Sequence, residues 1–169
     1  MADTALRMTG TLDPRSDWDA SRCPIAGTLD IVGNRSSFLV MREAFYGTTR
    51  FDDFVERAGI SEAIAAARLK SLVEEGLLER IRYQEPGRRG RFEYHLTEAG
   101  VDFFPVLASM MVWMKRWRGG ANVDIQHRDC GAPVEAQLRC TDGHDVTVSD
   151  IDLVANGSIP RAKSAATAH

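Results

Sequence analysis

Residues Gly59 to Gly100 read "GISEAIAAARLKSLVEEGLLERIRYQEPGRRGRFEYHLTEAG", and within this stretch the apolar period changes from that of a helix to that of a strand. Ser61 is a helix cap by type, because its hydroxyl can accept from the free N–H groups of a first turn. With the residues after it laid out at about 100° per step, Ala65, Leu69, Leu72 and Val73 fall on one face. Ala63, Ala66, Ala67, Lys70 and Glu74 fall on the opposite face, and Gly76 ends the helix. Leu78 to Tyr83 and Arg91 to Leu96 then read as strands, rich in aromatic and β-compatible residues. Pro86, Gly87 and Gly90 mark the tip between them, which predicts a β-hairpin. Arg80, Arg82, Arg88, Arg89 and Arg91 gather on that hairpin against Glu79 and Glu85, in a chain whose formal net charge is -3.

Upstream, the pattern is helical. Pro24 suits a first turn, and Ile25, Leu29 and Val32 recur on one face before Gly33. Ser36 is read as the cap of a second helix carrying Phe38, Leu39, Met41 and Phe45. A short third helix follows in "RFDDFVERAG", with Phe51, Phe54 and Val55 apolar and Gly59 at its end. Downstream, "LTEAG" caps a long helix predicted from Glu98 to about Trp117, with Phe104, Leu107, Met111 and Met114 in one stripe that Met110, Trp113 and Trp117 widen. Gly119 and Gly120 mark a linker, beyond which "VEAQLRC" and "DVTVSDI" read as strands. The expected organisation is a flexible arm over 1–21, a main domain over 22–118, a small β-rich appendage over 119–159 and a disordered tail over 160–169.

A length of 169 residues with 44% hydrophobic residues can supply one core. The longest apolar runs fall short of the roughly 20 residues that a membrane helix needs, so no membrane partner is expected. The acidic N-terminal segment, with Asp3, Asp13, Asp17 and Asp19, lacks the basic-then-apolar pattern of a secretory signal, which points to a cytoplasmic location. Cys23, Cys130 and Cys140 are too few and too scattered for a disulfide framework. There is no Gly-rich phosphate loop, no His-Glu-x-x-His and no nucleophile motif, so neither an enzyme nor a cofactor is expected.

Helices followed by a two-stranded hairpin are the order of a winged helix-turn-helix. The fold class is therefore mainly α with a small β-hairpin (α+β), in which the helix before the hairpin enters the major groove of double-stranded DNA. The basic hairpin then lies against phosphates, with Arg88, Arg89 and Arg91 best placed, and Arg50 is grouped with them. On the groove face, Ser61, Glu62, Ala63, Ala66 and Lys70 are small or polar enough to approach base edges, and alanines can touch thymine methyls. The plain alternatives are a solvated hairpin tip and an Ala-rich helix that reflects propensity alone.

The Cys-Pro start at Cys23, the Gly-x-x-Arg-Phe step at Gly47 to Phe51, the Gly-Ile-Ser turn, the Arg68-Leu69 pair, the strand end "EYHLTEAG" and the late Trp resemble the HxlR family of bacterial winged-helix transcriptional regulators, over roughly Cys23 to Trp117. That resemblance implies a homodimer on a pseudo-palindromic operator, acting as a repressor of neighbouring genes. The contact would run through the terminal helices, with Ile25, Leu29, Phe104, Leu107, Met110, Met111, Met114 and Trp117 at the seam. So apolar a last helix is itself an argument against a monomer. The resemblance also marks Cys23 as the cysteine that several relatives use to sense oxidants or electrophiles, and a helix start beside Arg22 favours negative charge there. The alternative for Cys23 is a small hydrophobe at the seam. A small-molecule effector is a further candidate partner. Some relatives carry a tail ending in a second Cys-x-x-Cys-Gly pair, which suggests a zinc ribbon; here the tail has His127, Cys130, Cys140 and His144, with Gly143 where the last cysteine is expected and His144 as its substitute, and a metal-free β-appendage is expected instead. The competing functional reading is a ligand-binding or protein-interaction module that keeps the scaffold and no longer binds DNA.

Overall fold

The structure, a computed structural model, describes residues 5–13, 23–84, 90–119, 122–155 and 157. They fall into two compact units, one of Thr28–Ala136 and one that joins the described residues of Met1–Gly27 and Gln137–His169. Helix α1, Pro24–Val32, buries Val32. In α2, Arg35–Phe45, the buried positions Ser37, Val40 and Met41 recur at helical spacing. The cap of α2 is Asn34 rather than Ser36. Asn34 has extended backbone, and its side chain accepts from the Ser37 N–H at 2.8 Å, whereas Ser36 already lies inside the first turn.

Helix α3, Phe51–Ala58, carries Asp52 and Asp53 in its first turn, where the helix dipole favours carboxylates. It stops at Gly59, whose φ of 61° is a left-handed cap conformation that suits glycine. Helix α4, Glu62–Glu74, is capped by Ser61, which accepts from the Ile64 N–H at 3.3 Å. It buries Ala65, Leu69 and Leu72, the face that its periodicity predicts. Leu69 and Leu72 join Val32, Val40, Met41, Phe54, Leu77 and Leu78 in one core. A short turn leads from α4 into β2, Leu78–Tyr83, which pairs antiparallel with β3, Arg91–Leu96, in a register running from Leu78 opposite Leu96 to Tyr83 opposite Arg91. Arg50 adds a bridge to Glu93, and the Tyr94 N–H donates to the Thr49 carbonyl at 2.8 Å, so the turn before α3 is tied to the hairpin.

Instead of one helix from Glu98 to Trp117, the chain forms α5, Glu98–Asp102, and α6, Phe104–Arg118. Pro105 explains the break: it has no N–H to give the Val101 carbonyl, and its ring would collide with that carbonyl in a continuous helix. At the break, the Phe103 ring packs on Phe38 at 5.9 Å and Phe104 on Phe45 at 5.1 Å between centroids. Lys115 in the last turn of α6 reaches Asp124 beyond it at 2.6 Å, and Gln126 bridges Pro133.

In the other unit, β1, Arg7–Thr9, pairs in parallel with β6, Asp152–Val154. The described part of the expected flexible arm therefore includes a strand. Arg7 donates to both Asp152 oxygens, at 2.6 and 2.7 Å, and these hydrogen bonds hold the Asp152 carboxyl below the usual carboxylate range. The expected strands over "VEAQLRC" and "DVTVSDI" shrink to β4, Leu138–Arg139, and β5, Asp145–Val146. Thr147 ends the second, because its hydroxyl donates to Asp150 at 2.7 Å and turns the chain into one 3-10 turn at Val148–Asp150.

Candidate nucleic-acid interface

The face of α4 away from the core presents Glu62, Ala63, Ile64, Ala66, Ala67 and Lys70 to solvent, with Ser61 exposed at its start. Methyl-sized side chains in the middle of this face let the helix backbone approach a groove floor closely, and the polar ends can reach bases or phosphates. Lys70 lies 3.6 Å from Glu74 in an exposed i,i+4 pair, a loose contact that a phosphate can replace. The core packing of Ala65, Leu69 and Leu72 fixes which face is presented.

On the hairpin, Arg91 is exposed and stands 3.5 Å from Asp52 at the start of α3. Arg50, also exposed, lies 3.7 Å from Glu93, and its guanidinium carbon is 5.2 Å from the centre of the Tyr83 ring. Two of the predicted phosphate-contacting arginines, Arg50 and Arg91, thus line one concavity beside the tip-side half of the hairpin. Arg88 and Arg89 lie outside the described residues.

Two features escaped the sequence reading. Arg80, counted on the hairpin without a role, lies with its guanidinium carbon 3.5 Å from the centre of the Phe92 ring. Glu43 is buried on α2 and is bound by Arg42 at 2.6 Å and by the Thr48 hydroxyl at 3.3 Å. Arg57 of α3 donates to the same hydroxyl at 3.1 Å, so this network ties α2 to the helix-turn-helix. An Arg-Glu pair reads as a solvated one in sequence, and only the packing of α3 against α2 shows otherwise.

Of the expected seam residues, Ile25 and Leu29 on α1 are 71% and 54% exposed. On α6, Phe104, Met110, Met114 and Trp117 are exposed, as is Trp113, and Met111 is half-buried. Leu107 is buried at 8%, so it already belongs to its own chain's interior. Cys23 is half-buried immediately before α1. In the tail, Cys130 Sγ lies 3.3 Å from His127 Nδ1 and Cys140 Sγ lies 3.5 Å from His144 Nδ1. Among the described residues, no group of three or more His, Cys, Asp or Glu side chains is placed to hold a metal ion. Nor is any described helix long and apolar enough to cross a membrane.

Helices packed under a basic two-stranded hairpin, with a small-residue helix face turned outward, define a winged helix-turn-helix protein of the transcription-regulator class. The chain belongs to the HxlR-like helix-turn-helix family, whose sequence model matches residues 31–121. An uncharacterised HTH-type transcriptional regulator of Mycobacterium tuberculosis is 34% identical over 131 residues, spanning 75% of this chain and 82% of the relative. Among solved structures, the crystal structure of the transcription-factor candidate PA1607 is 33% identical with a TM-score of 0.70, covering 81% of this chain and 96% of that one. The redox regulator HypR in its oxidised form is 27% identical with a TM-score of 0.51, over 57% of this chain and 98% of HypR. The chain is a helix-turn-helix transcriptional regulator of a bacterial family whose relatives are regulators rather than enzymes.

Proposed function

We propose that this regulator is a cytoplasmic homodimer that represses neighbouring genes by binding a pseudo-palindromic duplex. Each protomer sets α4 in a major groove and its hairpin along the flanking phosphates. The observation that carries the reading is the outward face of α4, where Ala63, Ala66 and Ala67 lie exposed between Ser61 and Lys70. A solvated helix rarely needs such a methyl-lined strip, whereas close approach to base edges does. Arg50 and Arg91 supply phosphate contacts, joined by Arg88 and Arg89 from the sequence between the strands. The apolar stripe of α6, with Leu29, supports the dimer, because Trp113, Met114 and Trp117 are all exposed within two turns of one helix, and neighbouring exposed apolar side chains mark an interaction surface. The domain organisation proposed is the DNA-binding and dimerisation domain over 22–118, followed by the appendage over 119–159. Cys23 is the proposed oxidant-responsive residue, a reading that the fold shared with HypR, described as a redox regulator, supports.

Ala66→Glu tests the groove assignment. Glutamate is a good helix former at this exposed site, so the melting temperature stays within about 2 °C of wild type. A carboxylate on the groove face repels phosphates and base acceptors, so affinity for the operator duplex falls by at least about tenfold in fluorescence anisotropy. Unchanged affinity would remove α4 from the groove and leave the interaction-module reading in its place.

A further inference from the structure

The concavity between the start of α3 and the tip-side half of the hairpin has a volume of about 340 Å3, within the range of small-molecule sites. Its charge is one-sided: Arg50, Arg80 and Arg91 line it, against a single lining carboxylate, Asp52. Asp52 faces Arg91 at 3.5 Å in a solvent-exposed pair, and the half-buried Glu93 faces Arg50 at 3.7 Å; both distances are loose. Arg80 pairs with no carboxylate among the described residues, and its contact is the Phe92 ring. A guanidinium that stacks on a ring spends its face there and keeps its N–H edge for an acceptor.

The rest of the wall is aromatic. Phe51, Tyr83, Phe92 and Tyr94 line the same space, and none of them is fully buried. A DNA phosphate uses cations and hydroxyls but has no use for flat apolar faces, and it fills only a fraction of this volume. A conjugated ring bearing a carboxylate uses both kinds of wall: the rings take its faces, and a guanidinium takes both carboxylate oxygens. We propose that the concavity binds a planar aromatic carboxylate, its acid group on Arg80 and its ring against Phe92 and Tyr94, which the hairpin register sets on the same face as Arg80. We further infer that occupancy weakens DNA binding, since Arg50 and Arg91 are the groups assigned to phosphates above. Only this second clause rests on the DNA reading.

The test uses the full chain and calorimetric titration with three probes: 1-naphthoate, its neutral amide 1-naphthamide, and inorganic phosphate. Saturable binding of naphthoate is expected at one per chain, with the amide and phosphate at least about tenfold weaker. Arg80→Gln, which removes the cation, and Phe92→Leu, which removes a ring while leaving an apolar strand residue, should each weaken naphthoate by about tenfold or more. Phosphate binding as tightly as naphthoate would overturn the proposal and make the concavity a seat for the DNA backbone. Naphthoate affinity unchanged in both variants, or no binding up to about 10 mM, would overturn it too. In a parallel anisotropy assay, naphthoate should raise the operator Kd of the wild type along its own binding curve and leave that of Arg80→Gln unmoved. An operator Kd indifferent to naphthoate at saturation would overturn the coupling. A chain that binds no duplex at all would refute the DNA reading, while the calorimetry would still decide the cavity.

Discussion

Arg91 and Asp52 separate stability from binding in one pair of substitutions. Arg91 stands 3.5 Å from Asp52, and the two side chains are 60% and 78% exposed. An ion pair this open contributes about 0–1 kcal/mol, so Arg91→Ala should lower the melting temperature by no more than about 4 °C. If Arg91 lies on a phosphate in each protomer of a dimer, two contacts are lost. The slope of log K against log salt then becomes shallower by about 0.9 for each, or about 1.8 in all. Between about 50 and 200 mM salt, a fourfold range, the wild type should therefore lose about twelvefold more affinity than the variant. Asp52→Asn acts in the opposite sense. It removes the carboxylate that competes with DNA for Arg91, so binding tightens, at a cost of about 0.3–1 kcal/mol from lost interaction with the α3 dipole. Anisotropy titrations at several salt concentrations, with circular-dichroism melts beside them, read both quantities. An Arg91→Ala protein with the wild-type slope, together with no gain in Asp52→Asn, would refute the phosphate contact. A fall in melting temperature far beyond a few degrees would show that Arg91 holds the fold instead.

Three further outcomes follow from named side chains. Met110→Asp with Met114→Asp puts charge into the exposed stripe of α6, and sedimentation should report monomer; an unchanged dimer would place the seam elsewhere. Gly100 is buried where α5 packs on the hairpin, and a Cβ there would be driven into the Leu77 carbonyl and come within 3.1 Å of Leu96 Cδ2. Gly100→Val should therefore cost about 1–3 kcal/mol in urea unfolding, and a midpoint at the wild-type value would contradict that packing. Mild peroxide or a quinone should weaken operator binding of the wild type and spare Cys23→Ser, and equal responses in the two proteins would deny Cys23 its role.

The helix-turn-helix was legible because its signals are local. The α4 stripe of Ala65, Leu69 and Leu72, the Ser61 cap and the Gly59 stop all act within a turn or two, and hairpin register follows from alternation and a short tip. Where two local signals competed, the reading went astray: Ser36 and Asn34 both suit a cap, and backbone conformation decided for Asn34. Pro105 was visible in sequence, but the apolar stripe running through it hid the break at Phe103. Long-range pairings left no trace. β1 meets a strand 145 residues away, and nothing in "RMT" names its partner. The site was legible in the same measure. The arginines of the hairpin stand out by composition, whereas the aromatic concavity exists only because the bridge from Arg50 to Glu93 brings the start of α3 beside the strands.

The central claim, sequence-specific binding of DNA by α4 and the hairpin, is tested most directly by titrating the full chain with two labelled duplexes of equal length. One comes from the region upstream of its own gene and the other is a scrambled control, at about 50, 100 and 200 mM salt. The account predicts preference for the upstream duplex by about a thousandfold or more at the highest salt, and a linear loss of affinity with log salt for both duplexes. Equal affinity for the two, or binding that does not respond to salt, would contradict it.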